Sequence, residues 1–562
     1  MPNLPALKRK DMALLSNIAL LLLLFSVAAG LTAQTDIYDS GGPLMPEQAA
    51  YDVIHYDLSL QIWPDEQRID GKVRIDAIVV QPMYWLVLDL DTLLTVYAVR
   101  APSGQEAAFY RKGGKLWIDL HHTRQPGQLL QLTVHYGGKP RPAPMAPWSG
   151  GFSWAKTTSG AHWLATTCQG EGADIWWPCK DHVSDEPRTM GLHFRVPDPL
   201  VVATNGQLLK TEPHGDGTTT YHWYISNPIN IYNVSLNAAP YRLIEDKIAS
   251  VAGDTFPVVF YVLPEDYDKG VKLFSEIKDH LRFYEELLGP YPFRTDKYGV
   301  VQTPHLGMEH QSIIAYGAKF NNGSMTGGID WGFDALHHHE LAHEWWGNLV
   351  TNSDWRDMWL HEGFGSYMQP LYAERLKGRE VYKSYMRNMR RFSNTLAIAP
   401  RESMTSKAIY RAPIYVKGAW TLHTLRYLMG DEAFFKALRR MAYPDPSLEA
   451  LTDGSQTRFV ATDDFLSICE EEYGQPLDWF FEVYLRQPSL PVLHSRIADN
   501  KIHLHWQAPG GLPFPMPVEI ELGKTTKRYD IPPDGLTIPF DKGIKPVVDP
   551  EGWLLFEIGI AK

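Results

Sequence analysis

The chain has 562 residues, a length that predicts three or four domains at about 150 residues each, and 44% of its residues are apolar and 21% charged. These proportions are typical of a folded globular protein and exclude collagen-like, coiled-coil and disordered chains. A net charge of −12 argues against nucleic acid as the main partner, because phosphate binding needs clustered lysine and arginine. The chain has too few cysteines, three in all, for a disulfide scaffold.

The amino-terminal segment predicts a secretory leader or a membrane anchor. A Lys-Arg-Lys triplet at 8–10 precedes an apolar stretch at 12–31 that ends among small residues. This order is typical of a signal peptide, which we assign to residues 1–33, although the stretch nearly reaches the roughly 20 residues that span a bilayer, so an uncleaved anchor stays open. Either alternative predicts an extracytoplasmic protein, periplasmic or secreted or tethered to the membrane. Outside the cytoplasm Cys168 and Cys179 could pair, but their spacing does not decide it.

Residues 45–247 carry the pattern of an antiparallel β domain. Polar and apolar residues alternate through much of 51–62, and again in 129–136 and 192–196, with turn residues between these runs. Such alternation indicates strands with one buried face. The glycine- and proline-rich stretch 137–151 is expected to be a long loop within this domain.

The apolar period then changes to three or four residues, which predicts a mainly helical domain over 248–488. One helix is expected over 271–288, and a glycine–proline pair should end it. Further helical patterns occupy 335–349, 359–377, 418–429 and 463–473. Alternation returns in 489–562, which suits a small β-sandwich. The chain as a whole is therefore predicted to be a multidomain α+β protein.

The most informative stretch contains His339, Glu340 and His343. The two histidines are four residues apart, so on a helix they lie one turn apart on one face and can share a Zn²⁺ ion. Glu340 lies beside the first histidine, where it can reach a water on the metal. So short a pattern also arises by chance on surface helices, and the neighbouring His337 and His338 make no such pair.

A second predicted helix supplies another carboxylate, Glu362, with 18 residues between it and His343. Two helices joined by a turn at 351–357 could pack antiparallel and bring this carboxylate to the metal. Two histidines and one glutamate leave a fourth position open for water, which is the catalytic arrangement of zinc ligands. Zinc would lower the pKa of that water, and Glu340 would take its proton and pass it to the leaving amine.

With these residues in view, the segment 339–367 resembles the gluzincin aminopeptidases of family M1, whose pattern is His-Glu-x-x-His, 18 residues and then Glu. An upstream stretch is similar to the family's Gly-x-Met-Glu-Asn strand, with Gly307 in the second place, Met308 and Glu309 retained, and His310 in place of Asn. The resemblance implies that Glu309 binds the free α-amine of the substrate and that Gly307 and Met308 belong to the substrate-binding strand.

Two further stretches extend the resemblance. Tyr415 begins a Tyr-Val-Lys-Gly-Ala run similar to the family's Tyr-x-Lys-Gly-Ala, which implies that its hydroxyl stabilises the oxyanion, with Tyr410 as a nearby rival. Gln169 holds the place of an amine-site Gln or Glu in the family's amino-terminal loop, although a glutamine bonded to loop backbone fits equally well. The implied fold is a β saddle, a thermolysin-like catalytic domain and a β-sandwich, and the helical domain that often follows is not expected.

These observations predict an aminopeptidase that uses one Zn²⁺ per chain to remove residues from peptides with a free N-terminus. A thermolysin-type endopeptidase shares the histidine helix and stays an alternative, and an amine-binding Glu309 discriminates against it by closing the site beyond the first residue. A non-catalytic peptide-binding homologue is a second alternative. It is disfavoured because the five positions that carry the chemistry all hold residues able to perform it: His339, Glu340, His343, Glu362 and Tyr415. An accessory epoxide hydrolase activity, known in a relative, the preferred first residue and the oligomeric state stay open.

Overall fold

The computed structural model describes residues 39–392, 394 and 396–560 of the chain. The predicted leader, residues 1–33, lies outside this part. Within the described part, no helix is both long enough and apolar enough to cross a membrane.

The amino-terminal part consists of strands with one buried face. Its strands are β1 (Tyr51–Trp63), β2 (Arg68–Val79), β3 (Met83–Asp89), β4 (Leu94–Arg100), β5 (Phe109–Lys112), β6 (Lys115–Arg124), β7 (Leu129–Gly138), β8 (Gly151–Lys156), β9 (His162–Thr167), β10 (Thr189–Pro197), β11 (Val201–Ala203), β12 (Gln207–Pro213), β13 (Thr218–Ile225) and β14 (Asn237–Ala239). In β1, Tyr56, Leu58, Leu60 and Ile62 are buried and the residues between them are partly exposed. This alternation follows from the pleat and builds an apolar core on one side of the sheet.

These strands form three sheets, in the orders β12-β13-β10-β1-β2-β7-β4, β11-β14-β9-β8 and β3-β6-β5. The predicted long loop is confirmed, because β7 ends at Gly138 and β8 begins at Gly151. The prediction of a purely antiparallel domain is wrong at one pairing, since β1 and β10 run parallel over seven paired residues. A long connection, which includes the 137–151 loop, separates these two strands and permits the parallel pairing. Cys168 and Cys179 are buried free thiols in the structure.

The helices concentrate in the next part of the chain. They are α1 (Pro46–Ala49), α2 (Tyr267–Leu288), α3 (Ala335–Ala342), α4 (Trp359–Lys377), α5 (Arg379–Met389), α6 (Ser406–Ile409), α7 (Ala412–Met429), α8 (Asp431–Ala442), α9 (Thr462–Tyr473) and α10 (Asp478–Phe481), which continues into a π-helical turn, Glu482–Arg486. Helix α2 ends at Gly289, as predicted. Helix α3 is shorter than the predicted 335–349, since it ends at Ala342 and turns follow it, and Gly347 adopts a φ of 140° that a helix does not allow.

The helical part also contains a five-stranded sheet that the sequence did not indicate. Its strands are β15 (Arg242–Ala249), β16 (Thr255–Val262), β17 (Tyr298–Gln302), β18 (Gly307–Met308) and β19 (Ile314–Tyr316), in the order β15-β16-β17-β19-β18. The predicted boundary between residues 247 and 248 falls inside β15. The short strand β18 forms the edge of the sheet and contacts α3. A separate pair, β20 (Val350–Asn352) and β21 (Arg458–Val460), runs parallel.

The carboxy-terminal part returns to strands. They are β22 (Val492–Ala498), β23 (Lys501–Gln507), β24 (Val518–Leu522), β25 (Thr525–Tyr529), β26 (Leu536–Pro539), β27 (Val547–Val548) and β28 (Glu557–Ile560), in sheets of the orders β26-β23-β22-β28 and β25-β24-β27. Buried side chains of this part and of the helical part belong to one continuous apolar cluster, while the amino-terminal sheets enclose a second one. Hydrogen bonds from Thr424 to the Trp553 carbonyl (3.1 Å) and from Tyr484 to the Leu555 carbonyl (2.9 Å) reinforce the first cluster.

Candidate active site

Helix α3 brings the two predicted histidine ligands together. It begins after Asp334, whose carboxylate accepts a hydrogen bond from the His337 backbone N–H at 2.9 Å and so caps the helix. One turn apart on the buried side, His339 and His343 turn their Nε2 atoms toward each other at 3.2 Å. The spacing expected from the sequence is therefore realised in side-chain geometry.

Helix α4, packed against α3, adds the third predicted ligand. Oε2 of Glu362 lies 3.3 Å from Nε2 of His339 and 3.5 Å from Nε2 of His343. The absence of a side chain at Gly365 makes room, since a Cβ there would lie 3.3 Å from the His339 ring. The structure thus joins all three residues around one point.

The three donor atoms fit a tetrahedral metal ion. Zinc bonds of about 2.0–2.1 Å require tetrahedral edges of about 3.3–3.4 Å, close to the three separations found here. Nδ1 of His343 lies 2.9 Å from the Trp346 carbonyl oxygen, so Nδ1–H donates there and the Nε2 lone pair faces the centre. Burial alone lowers the pKa of His343, but Glu309, Glu362 and Glu340 together raise it to about 10. The surroundings therefore favour positive charge at this point.

Glu340 approaches the edge strand β18 from α3. A Cβ built on Gly307 would overlap Oε1 of Glu340, so only glycine lets this carboxylate lie against the strand. A carboxylate oxygen of Glu340, one of Glu309 and a ring nitrogen of His343 lie within 4.8 Å of one another. Burial raises the pKa of Glu340 well above its usual value. The next residue of the strand, Met308, is also buried.

Glu309 of the helical part and Gln169 of the amino-terminal part contact each other. Oε1 of Glu309 accepts hydrogen bonds from Nε2 of Gln169, which follows β9, and from the Tyr232 hydroxyl at 3.2 Å. Nδ2 of Asn348 donates to the Glu309 carbonyl at 3.2 Å. Burial, with a contribution from Glu362 and against His343, raises the pKa of Glu309 to about 7. The carboxylate is fixed in place and needs a positive partner to ionise fully.

Tyr415 and Tyr410 both reach the site. Helix α7 crosses α4 so closely that a Cβ on Gly418 would lie 2.8 Å from the Gly363 Cα. This close approach explains why a glycine stands three residues after Tyr415. The Tyr415 hydroxyl donates to Oε1 of Glu362 at 2.8 Å and also contacts the Tyr410 hydroxyl. Burial and the Glu362 carboxylate raise the pKa of Tyr415 well above its usual value, so this hydroxyl keeps its proton.

The neighbouring histidines have other partners. His337 contacts His280 through Nδ1 at 2.8 Å and the Tyr298 hydroxyl through Nε2 at 2.9 Å, and His338 contacts the Tyr284 hydroxyl at 3.0 Å. All of these side chains are buried. They hold α3 in the core and are not surface residues.

Sequence reasoning missed or left open three polar side chains around the site. Tyr232 was not singled out, because a lone tyrosine in a β-rich stretch has no spacing that points to a carboxylate 77 residues away. Asn348 and Asp357 had no assigned role. Asp357 accepts a hydrogen bond from the Thr462 hydroxyl and thereby ties the residues before α4 to α9.

A cleft of about 890 Å³ lies beside the site. Gln169, Tyr410 and Tyr415 form part of its wall, together with residues of α4 and α5 and of the loop before α3. Its volume falls within the range of small-molecule and peptide sites. Of the site residues described above, these three therefore face the cleft directly.

Two domain models of one family match the chain. The Peptidase M1 N-terminal domain matches residues 53–232, and the Peptidase family M1 domain matches residues 274–484. The fold and the arrangement of two histidines and one glutamate agree with this family. The chain belongs to peptidase family M1.

Curated relatives include Aminopeptidase M1-B of Oryza sativa subsp. japonica, 25% identical over 366 residues that cover 60% of this chain and 38% of the relative. Aminopeptidase M1 of Arabidopsis thaliana is 23% identical over 373 residues, which cover 63% of this chain and 40% of the relative. This chain thus spans about two fifths of the length of these relatives.

Among solved structures, an M1 zinc metallopeptidase from Deinococcus radiodurans, a mutant bound to a Tyr-Ser-Ala substrate, superposes with a TM-score of 0.64 at 23% identity. The superposition covers 81% of this chain and 98% of that one. At this identity the similarity establishes a shared fold.

Proposed function

We propose that this protein is a zinc-dependent aminopeptidase that hydrolyses the first peptide bond of peptides with a free N-terminus. The observation that carries the proposal is the position of Glu309, whose carboxylate lies within 4.8 Å of a Glu340 oxygen and a His343 nitrogen. The α-amine and the carbonyl carbon of one residue are only about 2.5 Å apart. A carboxylate that holds the amine so near the metal centre brings only the first peptide bond to it.

The mechanism assigns one task to each side chain. A zinc ion held by His339, His343 and Glu362 would lower the pKa of a water molecule in its open position and polarise the scissile carbonyl. Glu340 accepts a proton from the attacking water and delivers it to the leaving amine. Tyr415 donates its hydroxyl hydrogen to the oxyanion, and Glu309 with Gln169 holds the α-amine.

We propose one zinc ion per chain, which the His343→Ala variant tests. Removing one of three ligands leaves too few donors for tight binding, so the purified variant is expected to hold far less zinc than the wild type. Metal analysis by mass spectrometry measures the content, and circular dichroism checks that the variant is folded. Near-stoichiometric zinc in the folded variant would contradict the proposed ligand set.

Tyr415→Phe is expected to lower kcat by about 10²–10³-fold with a smaller change in KM. The hydroxyl acts on an oxyanion that forms only near the transition state, and removal of one such donor costs about that factor in other enzymes. Steady-state kinetics on an aminoacyl-coumarin measure both constants. Tyr410→Phe is the matched control, and a larger loss of kcat in that variant would show that Tyr410 is the donor.

The overall proposal is tested on aminoacyl-coumarin amides with and without a zinc chelator. Hydrolysis that the chelator abolishes and added zinc restores is the expected result. Absence of hydrolysis by a zinc-loaded chain would favour the non-catalytic peptide-binding homologue. Internal cleavage of peptides, whether or not their N-terminus is blocked, would favour the thermolysin-type endopeptidase.

We further propose three domains, over 45–247, 248–488 and 489–562, with the last a β-sandwich. The two sheets of four and three strands in the last domain support this assignment.

We also propose that residues 1–33 direct the protein out of the cytoplasm, on the basis of the basic and apolar pattern at 8–31. Cell fractionation and mass spectrometry of the mature N-terminus test the second proposal. Cytoplasmic protein with an intact leader would contradict it.

A further inference from the structure

Helix α4 carries a row of polar side chains from the proposed metal ligand into the cleft. Ser366 and Gln369 follow Glu362 by four and seven residues, so the three lie on one face of the helix. Ser366 and Gln369 line the cleft, as does Tyr415, whose hydroxyl donates to Glu362. At 1.5 Å per residue, Gln369 lies about 10 Å beyond Glu362 along the helix.

Gln369 offers a carbonyl oxygen that no side chain of the described residues occupies. Its Nε2 donates to the Ala335 carbonyl at 2.8 Å and to Sδ of Met325 at 3.3 Å. These two bonds use both amide hydrogens and fix the orientation of the amide, because only its nitrogen can donate. The residue is 4% exposed and lines the cleft, and within the described part of the chain no group donates to its Oε1. This oxygen is therefore free to accept a hydrogen bond from a ligand.

Two segments of the cleft wall offer uncharged surface. The loop before α3 and helix α5 line the cleft, and every lining residue that the structure describes in them is uncharged. Trp331 of this loop packs on Tyr385 of α5 with ring centroids 4.6 Å apart. An aromatic ligand gains contacts with rings and with sulfur, whereas a cation loses its hydration among uncharged side chains. The cations that line the cleft lie outside these segments: Arg391, Lys407 and Arg411.

The first side chain of a bound peptide would start between two groups of the cleft wall. Gln169, with Glu309, would hold the α-amine, and Tyr415 would donate to the oxyanion, so the α-carbon between them faces the cleft. The α-carbon lies about 4 Å from a metal that polarises its carbonyl, and a tyrosine hydroxyl lies about 6–7 Å from its own α-carbon. Together these lengths are close to the distance of about 10 Å from Glu362 to Gln369 along α4.

We propose that Gln369 selects peptides whose first residue is tyrosine, because its Oε1 accepts the hydrogen of the phenol hydroxyl. The proposal rests on the proposed aminopeptidase function, since the amine must be fixed for the first side chain to reach this oxygen. Phenylalanine has the same ring and no donor, so it would cover Oε1 and leave it unpaired. The apolar surface alone would favour phenylalanine, which has no hydroxyl to desolvate. A preference for tyrosine therefore reports the hydrogen bond.

The test compares aminoacyl-coumarins of tyrosine, phenylalanine and O-methyltyrosine, which keeps the ring and the oxygen and lacks the donor. We expect kcat/KM to be at least about threefold higher for tyrosine than for either of the others, a factor within the range of one net hydrogen bond. A ratio of one or below for tyrosine over either compound, with measurable turnover, would overturn the preference and leave the aminopeptidase function standing. Hydrolysis of other aminoacyl-coumarins but none of these three would do the same. No hydrolysis of any aminoacyl-coumarin would overturn the proposed function as well.

A variant locates the effect at the acceptor. Gln369→Met removes the oxygen, keeps an unbranched side chain of similar length, and should bring the tyrosine-to-phenylalanine ratio to about one or below. Because both substrates are measured on one variant, a general loss of activity does not alter the ratio. Gln507→Met, on β23, replaces an exposed glutamine and is the matched control, which should leave the ratio unchanged. A ratio that Gln369→Met leaves at the wild-type value would contradict the assignment.

Two further comparisons keep the proposal open to contradiction. If Gln369→Met fails to fold, the comparison of tyrosine with O-methyltyrosine on the wild type decides whether a donor is required. Cleavage of Ala-Tyr-Ala and Ala-Phe-Ala reports the second residue of the peptide. A preference for tyrosine at that position and none at the first would place Gln369 beside the leaving product and overturn the proposal.

Discussion

Glu340→Gln is expected to lower kcat by at least about 10²–10⁴-fold and to keep the metal. An amide cannot accept the proton of the attacking water, while its size is almost that of the carboxylate. Glu340 is not among the three proposed ligands, so zinc should stay bound. Glu340 is buried against Gly307, and this burial limits rescue by bulk solvent. Stopped assays on an aminoacyl-coumarin measure turnover, and metal analysis measures zinc.

Glu471→Gln is the matched control, because Glu471 pairs with Arg440 on the surface of α9 and a surface pair contributes little. It should keep turnover and zinc. Activity of Glu340→Gln within tenfold of the wild type would mean that another group takes the proton.

Acetylated peptides are expected to resist cleavage, whereas the same peptides with a free N-terminus lose residues one at a time. The acetyl group removes the positive charge that Glu309 would bind and adds bulk where the carboxylate closes the cleft. A carboxylate left buried without its partner costs several kcal/mol, roughly 10²-fold or more in binding. Mass spectrometry of matched digests distinguishes the two outcomes.

The Glu309→Ala variant separates this explanation from a general loss of the site. Glu309 is not a proposed metal ligand, so the variant should keep zinc and lose most of its activity on free peptides. Internal cleavage of free and acetylated peptides at similar rates would overturn the aminopeptidase assignment. It would leave the thermolysin-type endopeptidase as the better explanation.

The parts of the structure that the sequence predicted are those with a repeating pattern. Helix α4 was predicted at its observed bounds, 359–377, because its apolar positions recur over five turns. The three residues around the metal point followed from the spacing of His339, His343 and Glu362 on two helices. An accurate prediction of element bounds depends on a periodic pattern of apolar residues, which long helices and long half-buried strands possess.

The parts that sequence reasoning missed lack such a pattern. Strands β17, β18 and β19 have two to five residues and are buried on both faces, so they show no alternation. Helix α3 ends at Ala342, and the sequence has no glycine or proline at that point to indicate its end. The contact between Gln169 and Glu309 joins residues 140 positions apart, and only the family resemblance suggested it.

The residues of the site are attached to two different apolar clusters. His339, His343 and Glu362 belong to helices anchored in the cluster shared by the helical and carboxy-terminal parts, whereas Gln169 follows a strand of the amino-terminal cluster. Glu309 follows Met308, which belongs to the same cluster as the metal-binding helices, so only the contact from Gln169 depends on the alignment of the two clusters. A disturbance that tilts the amino-terminal sheets would weaken the hold on the substrate's α-amine without releasing the metal. Precision of cleavage would then be lost before the capacity to hydrolyse.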